Sequence, residues 1–201
     1  MNSFDYWFRR SAHIFATTFI SYYFLPDSGY IGILKRIIVL SLLIIFIVFD
    51  IARLKRKKYR LTGLRDYEEN RIGSYVYFGI GTSILLLLFP QQIAIPCIVS
   101  AALADPVAGE LRKINLKLSY LIVFMLSFFI FYSTWLTSPY AILISVTSSL
   151  SLTLSELKKF RYLDDDLLMQ IVPALTILIF YLVLGKEIMP REIIFPLLEV
   201  R

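Results

Sequence analysis

The 201-residue chain is predicted to be an all-α integral membrane protein with about seven transmembrane helices, some short or broken, and a cytoplasmic N-terminus. Three observations predict this. Hydrophobic residues make up 58% of the chain and mean hydropathy is +0.70, where soluble domains are about half apolar. The apolar runs are continuous and lack the two-residue alternation of a barrel strand, so the spans are helical. The basic residues fall on alternate connections, as the positive-inside rule requires. A bilayer core about 30 Å thick takes about 20 helical residues per span, so the length allows six or seven spans and no sizeable soluble domain. Residues 1–201 therefore read as a single polytopic domain.

The N-terminal ten residues carry Asp5 and four aromatics ahead of Arg9 and Arg10. That order differs from a cleavable signal peptide, and the segment is expected to be retained. Spans are expected near 11–25, 31–49, 72–89, 92–104, 118–135, 140–154 and 167–184. The fourth is short. Its 13 residues reach only about 20 Å at about 1.5 Å per residue, so it stops below the far headgroups or continues past Asp105-Pro106 as a kinked helix. The tail 187–201 mixes charge with apolar residues and two prolines and is expected to lie in the interface. Cys97, the single cysteine, sits inside an apolar run and excludes an intramolecular disulfide.

Sixteen of the 21 basic residues fall on one side of this topology. They are Arg9 and Arg10; Arg53, Lys55, Arg56, Lys57, Lys58, Arg60, Arg65 and Arg71; Arg112, Lys113 and Lys117; and Lys158, Lys159 and Arg161. Lys35, Arg36, Lys186, Arg191 and Arg201 remain on the other. Most acids share the basic side, among them Asp50, Asp66, Glu68, Glu69, Asp105, Glu110, Glu156 and Asp164 to Asp166, so the chemistry is expected to face the cytoplasm.

Asp105 follows an uninterrupted apolar run and precedes a proline. An aspartate at the bilayer centre costs about 2.5–3.5 kcal/mol on insertion scales, so such a residue faces a cavity, a cation or a substrate unless it ends a helix at headgroup level. Asp164, Asp165 and Asp166 precede the last span, where carboxylate oxygens can hold a divalent cation. Acids in that position also cap a helix, and Asp166 is the expected cap. Arg112, Lys113 and Lys117 follow Asp105 and would pair with phosphate or, alternatively, with anionic lipid. Asp50 and Arg53, three residues apart, are expected to form a structural ion pair. Gly73 and Ser74 would let another helix approach closely. His13 is the sole histidine, which excludes a multi-histidine metal centre and leaves proton transfer, phosphate contact or packing. No Ser-His-acid signature, P-loop or glycine-rich dinucleotide fingerprint is present. The net charge of +6 follows membrane topology and not a basic, aromatic-studded soluble face, which argues against nucleic acid as a partner.

Taken in order, these residues resemble the CTP-dependent lipid kinase family of dolichol kinase, phytol kinase and the CTP-using diacylglycerol kinases. The resemblance rests on five segments: Arg9-Arg10-Ser11-Ala12-His13, Asp50-Ile51-Ala52-Arg53, Glu69-Asn70-Arg71-Ile72-Gly73-Ser74, Ala104-Asp105-Pro106-Val107-Ala108, and Leu163-Asp164-Asp165-Asp166-Leu167 followed by Pro173. The likeness spans roughly Arg9 to Leu184. The family's motif D-x-x-A-x-x-x-G has Arg112 in place of its glycine here, Asp166 stands for the usual asparagine, and of a later K-K-T-x-E-G element only Lys117 and Ser119 remain.

The resemblance implies phosphorylation of a membrane isoprenoid alcohol from CTP at the cytoplasmic face of a prokaryotic cell membrane. Magnesium or another divalent cation would sit on Asp105, Asp164, Asp165 and Asp166, and the nucleotide on Ala108, Gly109, Arg112, Lys113 and Lys117. Asp105, His13 and Asp165 are the implied catalytic residues, with the base left open between His13 and the acids. Alternatives are a CTP:phospholipid cytidylyltransferase, a small transporter, and a family member without catalysis.

Overall fold

The computed structural model describes residues 3–56, 62–64, 68–157 and 163–197. Outside them lie Lys57, Lys58, Arg60, Arg65 and Asp66 of the longest connection, Lys158, Lys159 and Arg161 before the last span, and the end of the tail with Arg201. The described residues are helical, with no strand among them. The helices are α1 (Ser3–Phe15), α2 (Gly29–Arg56), α3 (Ser74–Leu88), α4 (Gln91–Leu111), α5 (Leu116–Trp135), α6 (Ala141–Leu157) and α7 (Asp165–Leu184), with 3₁₀ turns at Ala16–Phe24 and Lys186–Ile188. Of these, α2, α4, α5 and α7 are long and apolar enough to cross a membrane; α3 and α6 are shorter apolar helices.

Helix α4 is the central element, and its Ala94, Cys97, Ile98, Ala102, Ala104 and Ala108 are fully buried. Small side chains there let α5 and α7 approach closely, the usual basis of helix packing in a bilayer. Two prolines sit inside α4. Pro96 has no N–H for the carbonyl of Gln92 four residues back. That carbonyl instead accepts from the indole Nε1 of Trp135 at 2.9 Å, which ties α4 to the end of α5. Helix α2 is the opposite case: Ile33, Ile37, Ile44, Ile45 and Val48 are all exposed along its length. A continuous apolar surface of this kind suits lipid and not water.

Consecutive helices run in opposite directions and meet at two ends. At one, Arg53 near the end of α2 donates to the carbonyls of Glu68, Glu69 and Arg71 ahead of α3, and Ser119 of α5 donates to the Ala108 carbonyl of α4. At the other, Ser138 donates to the Ile188 carbonyl at 2.6 Å and Gln91 exchanges hydrogen bonds with the backbone of Ile194. The Leu197 N–H reaches the Phe24 carbonyl. The tail thus folds across this second end without forming a further span.

Two expectations are corrected and one open alternative is decided. The first helix begins at Ser3, not near residue 11, and changes to 3₁₀ geometry at Ala16. Arg9 and Arg10 can lie within it because each finds a carboxylate partner; past Phe15 the hydroxyls of Thr17 and Thr18 turn back to the carbonyls of Ile14 and Phe15. Of the two alternatives open for the fourth helix, the structure has the second: α4 continues past Asp105 and Pro106 to Leu111. The cap of α7 is Asp164, whose Oδ1 accepts from the Asp166 N–H at 3.1 Å, and not Asp166 itself. That geometry is an N-cap bonded to the second helical residue, and it turns the Asp166 side chain inward.

Candidate functional site

The first end of the bundle gathers two buried acid clusters. One joins α2 to α3. Asp50 Oδ1 accepts from Arg53 Nε at 2.7 Å and from the Tyr75 hydroxyl at 2.6 Å, while Oδ2 accepts from the Gly73 N–H at 3.1 Å. The guanidinium of Arg53 spends its remaining donors on backbone carbonyls. This is the expected Asp50–Arg53 pair, and Gly73 serves it through its N–H and not by admitting another helix. Both charges are nearly fully hydrogen-bonded, so the cluster reads as a structural clamp.

The second cluster is built differently. Asp105 near the end of α4, Glu156 at the end of α6 and Asp165 at the start of α7 place carboxylate oxygens within 4.8 Å of one another, and all three residues are buried. Asp105 also groups with His13 and Asp166, and Asp166 with Asp164 and Asp165. Five carboxylates from three helices and their flank therefore form overlapping groups at this end of the bundle. Two ionised carboxylates at about 4.8 Å repel by about 3–4 kcal/mol at an effective dielectric of about 20. Such a cluster keeps its charge only with cations or protons in it. Asp164 shows the consequence: burial, then the charges of Asp166 and Asp165, push its pKa up to about 8. Oδ2 of Asp165 is buried and accepts no hydrogen bond.

Arginine, lysine and histidine side chains ring this cluster. Arg9 reaches Glu68 at 3.3 Å and Asp166 at 3.4 Å, and His13 Nε2 lies 3.5 Å from Asp105 and 3.9 Å from Asp166. The His13 ring stands edge-on to Phe78. Arg112 binds Glu156 at 2.6 Å. Arg10 pairs with Glu110 and stacks over the Tyr6 ring. Lys113 contacts Glu110 and the Tyr6 hydroxyl. Behind the acids, Gln170 donates to the carbonyls of Phe78 and Asp166 and accepts from Thr82. A side-chain carbon on Gly81 would fall 3.0 Å from the Gln170 amide, so glycine there lets α3 and α7 share this buried network.

Of the residues expected from sequence, Asp105, His13, Asp164, Asp165 and Asp166 come together. Arg112 joins them through Glu156. Lys113 stands at the exposed margin, and Lys117 is exposed at the start of α5, where its N–H caps onto Asn115. Ala108 is a packing position whose carbonyl accepts from Ser119 and Arg112. Gly109 lies under Arg10, whose Nη2 would sit 3.2 Å from an added side-chain carbon. Glu156, Glu68, Arg9 and Gln170 were not singled out as site residues by sequence. Glu156 carried a readable signal, an acid closing an apolar run as Asp105 does.

The donor set suits a hard divalent cation: several carboxylate oxygens, one of them unpartnered, at a separation that a cation relieves. Asp105, Glu156 and Asp165 are the residues that fit it best. In comparisons with family models, curated proteins and solved structures, nothing matches this chain.

Proposed function

We propose that the chain is a membrane phosphotransferase that moves the γ-phosphoryl group of CTP to an isoprenoid alcohol. The observation that carries this reading is the Asp105–Glu156–Asp165 carboxylate group beside His13 and a rim of arginines. Phosphoryl transfer relies on positioning and charge stabilisation, and both parts are present in that arrangement. The resemblance of five ordered segments to CTP-dependent lipid kinases supports the choice of donor and acceptor. In this reading all seven helices belong to the membrane domain, the N-terminus is cytoplasmic, and the acid cluster faces the compartment that holds nucleotides.

Asp105, Glu156 and Asp165 would hold magnesium, which supplies charge neutralisation for the triphosphate when bound. Arg112 and Arg9 lie on the rim to pair with phosphate oxygens, Arg112 exchanging Glu156 for the nucleotide. His13 takes the proton of the acceptor hydroxyl, with Asp105 stabilising the imidazolium. The acceptor oxygen bonds to the γ-phosphorus, the bond to the β-phosphate oxygen breaks, and CDP leaves.

The test is incubation of the protein in lipid nanodiscs with magnesium, a panel of isoprenoid alcohols and phospholipid acids, and γ-labelled CTP or ATP. Label passing from CTP into an alcohol is the expected result. Pyrophosphate release only with a phospholipid acid would assign a cytidylyltransferase instead, and absence of turnover with every acceptor would overturn the reading.

A further inference from the structure

Two cavities lie in line between α2 and α3, and among the described residues only Phe46 lines both. The upper one, about 330 Å³, is bounded by α1, α2, the 62–64 segment and the start of α3. Its walls are mostly aromatic and aliphatic, but Arg9 and His13 also line it. Those two residues touch the acid cluster as well, through Asp166 and Asp105. The upper cavity is therefore an apolar chamber with one polar wall, and that wall is the edge of the proposed reaction centre. The lower cavity, about 50 Å³, continues along the seam past Gly79, Thr82 and Leu86. Gly79 keeps this part open: a side-chain carbon there would lie 3.4 Å from the Phe46 ring. From Ser74 to Leu86 the seam covers about 18 Å at about 1.5 Å per helical residue. On its outer side stands α2, whose window of highest hydropathy is only 11% buried.

We infer that this seam seats the acceptor, and that the acceptor is a lipid alcohol with one hydrocarbon chain. The inference rests on the phosphotransferase reading and adds the route and the substrate shape. The hydroxyl reaches His13 from the upper cavity, and the chain passes the Phe46 ring and descends between α2 and α3 toward the bilayer centre. The lower cleft is too narrow for two chains side by side, so a diacylated glycerol fits only by leaving one chain outside the seam. Helix α2 packs on the rest of the bundle chiefly through α3.

The experiment uses an isoprenoid alcohol carrying a photoactivatable diazirine at the far end of its chain, with the full chain in nanodiscs and labelled peptides identified by mass spectrometry. Label is expected on Leu43, Phe46 and Thr82, reduced at least tenfold by excess unlabelled isoprenoid alcohol and little by diacylglycerol. Gly79→Leu, which fills the lower cleft, is expected to cut that labelling at least fivefold while manganese binding at the acid cluster persists. Label spread over the outer faces of α5 and α6, or displaced equally by diacylglycerol, would overturn the inference. Phosphoryl transfer measured in the same nanodiscs separates the two claims. Transfer with label outside the seam refutes the seam alone, and seam labelling without transfer upholds the seam and refutes the kinase reading.

Discussion

Two buried aspartates, Asp50 on α2 and Asp105 on α4, show opposite solutions to the same cost. Asp50 is enclosed by Arg53, Tyr75 and the Gly73 N–H, and each of its oxygens accepts a hydrogen bond. Asp105 faces Glu156 and Asp165, which carry charge of its own sign, with His13 beside it. A buried charge with complete hydrogen bonding stabilises a fold, whereas crowded like charges are retained for a ligand that relieves them. The comparison separates scaffold from site, and it can be broken by experiment.

The largest effect is expected from Asp105→Asn. Transfer to the alcohol should fall by about 10²–10³-fold or more, the scale of losing one charge-stabilising group in an active site. Thermal stability should stay near wild type, because lost pairing with His13 is offset by relief of carboxylate repulsion. Initial rates together with unfolding in nanodiscs check both halves. For Asp50→Ala the pattern reverses: removing one partner of a buried ion pair costs about 3–5 kcal/mol, read as lowered resistance to unfolding.

Next in size is a pH effect. Asp164 titrates at about 8 in the folded chain against 3.8 for the ordinary group. The folded state therefore holds a proton that the unfolded state releases, and stability without divalent cations falls as pH rises from about 4 to about 8. Saturating magnesium replaces that proton and should flatten the slope, and Asp164→Asn should flatten it without magnesium. Smallest is Tyr75→Phe, which deletes one hydrogen bond to Asp50 and should cost about 1–2 kcal/mol with transfer per folded molecule unchanged.

The sequence made the helical, membrane-suited character of the chain readable because apolar periodicity and length are local properties. Asp105 stands out as a charge at the end of an apolar run and Asp164 to Asp166 as a run of acids before a span, and the resemblance to the lipid kinases implies that they share one cation. What the sequence left hidden depends on three-dimensional register. Nothing local shows that Glu156 converges with Asp105, because α6 and α4 are held beside each other chiefly by their common neighbours α5 and α7. Which of three consecutive aspartates caps α7 turns on backbone angles at one residue, and Asp164 alone has the extended conformation of a cap. The length of α4 was obscured by Pro106, which the helix tolerates within a packed bundle.

The most direct test of the central claim is a manganese titration followed by electron paramagnetic resonance, comparing wild type, Asp165→Asn and Tyr75→Phe in nanodiscs. The account predicts one saturable site in wild type and in Tyr75→Phe, weakened at least tenfold in Asp165→Asn. Equal binding in all three proteins, or none in wild type, would contradict it.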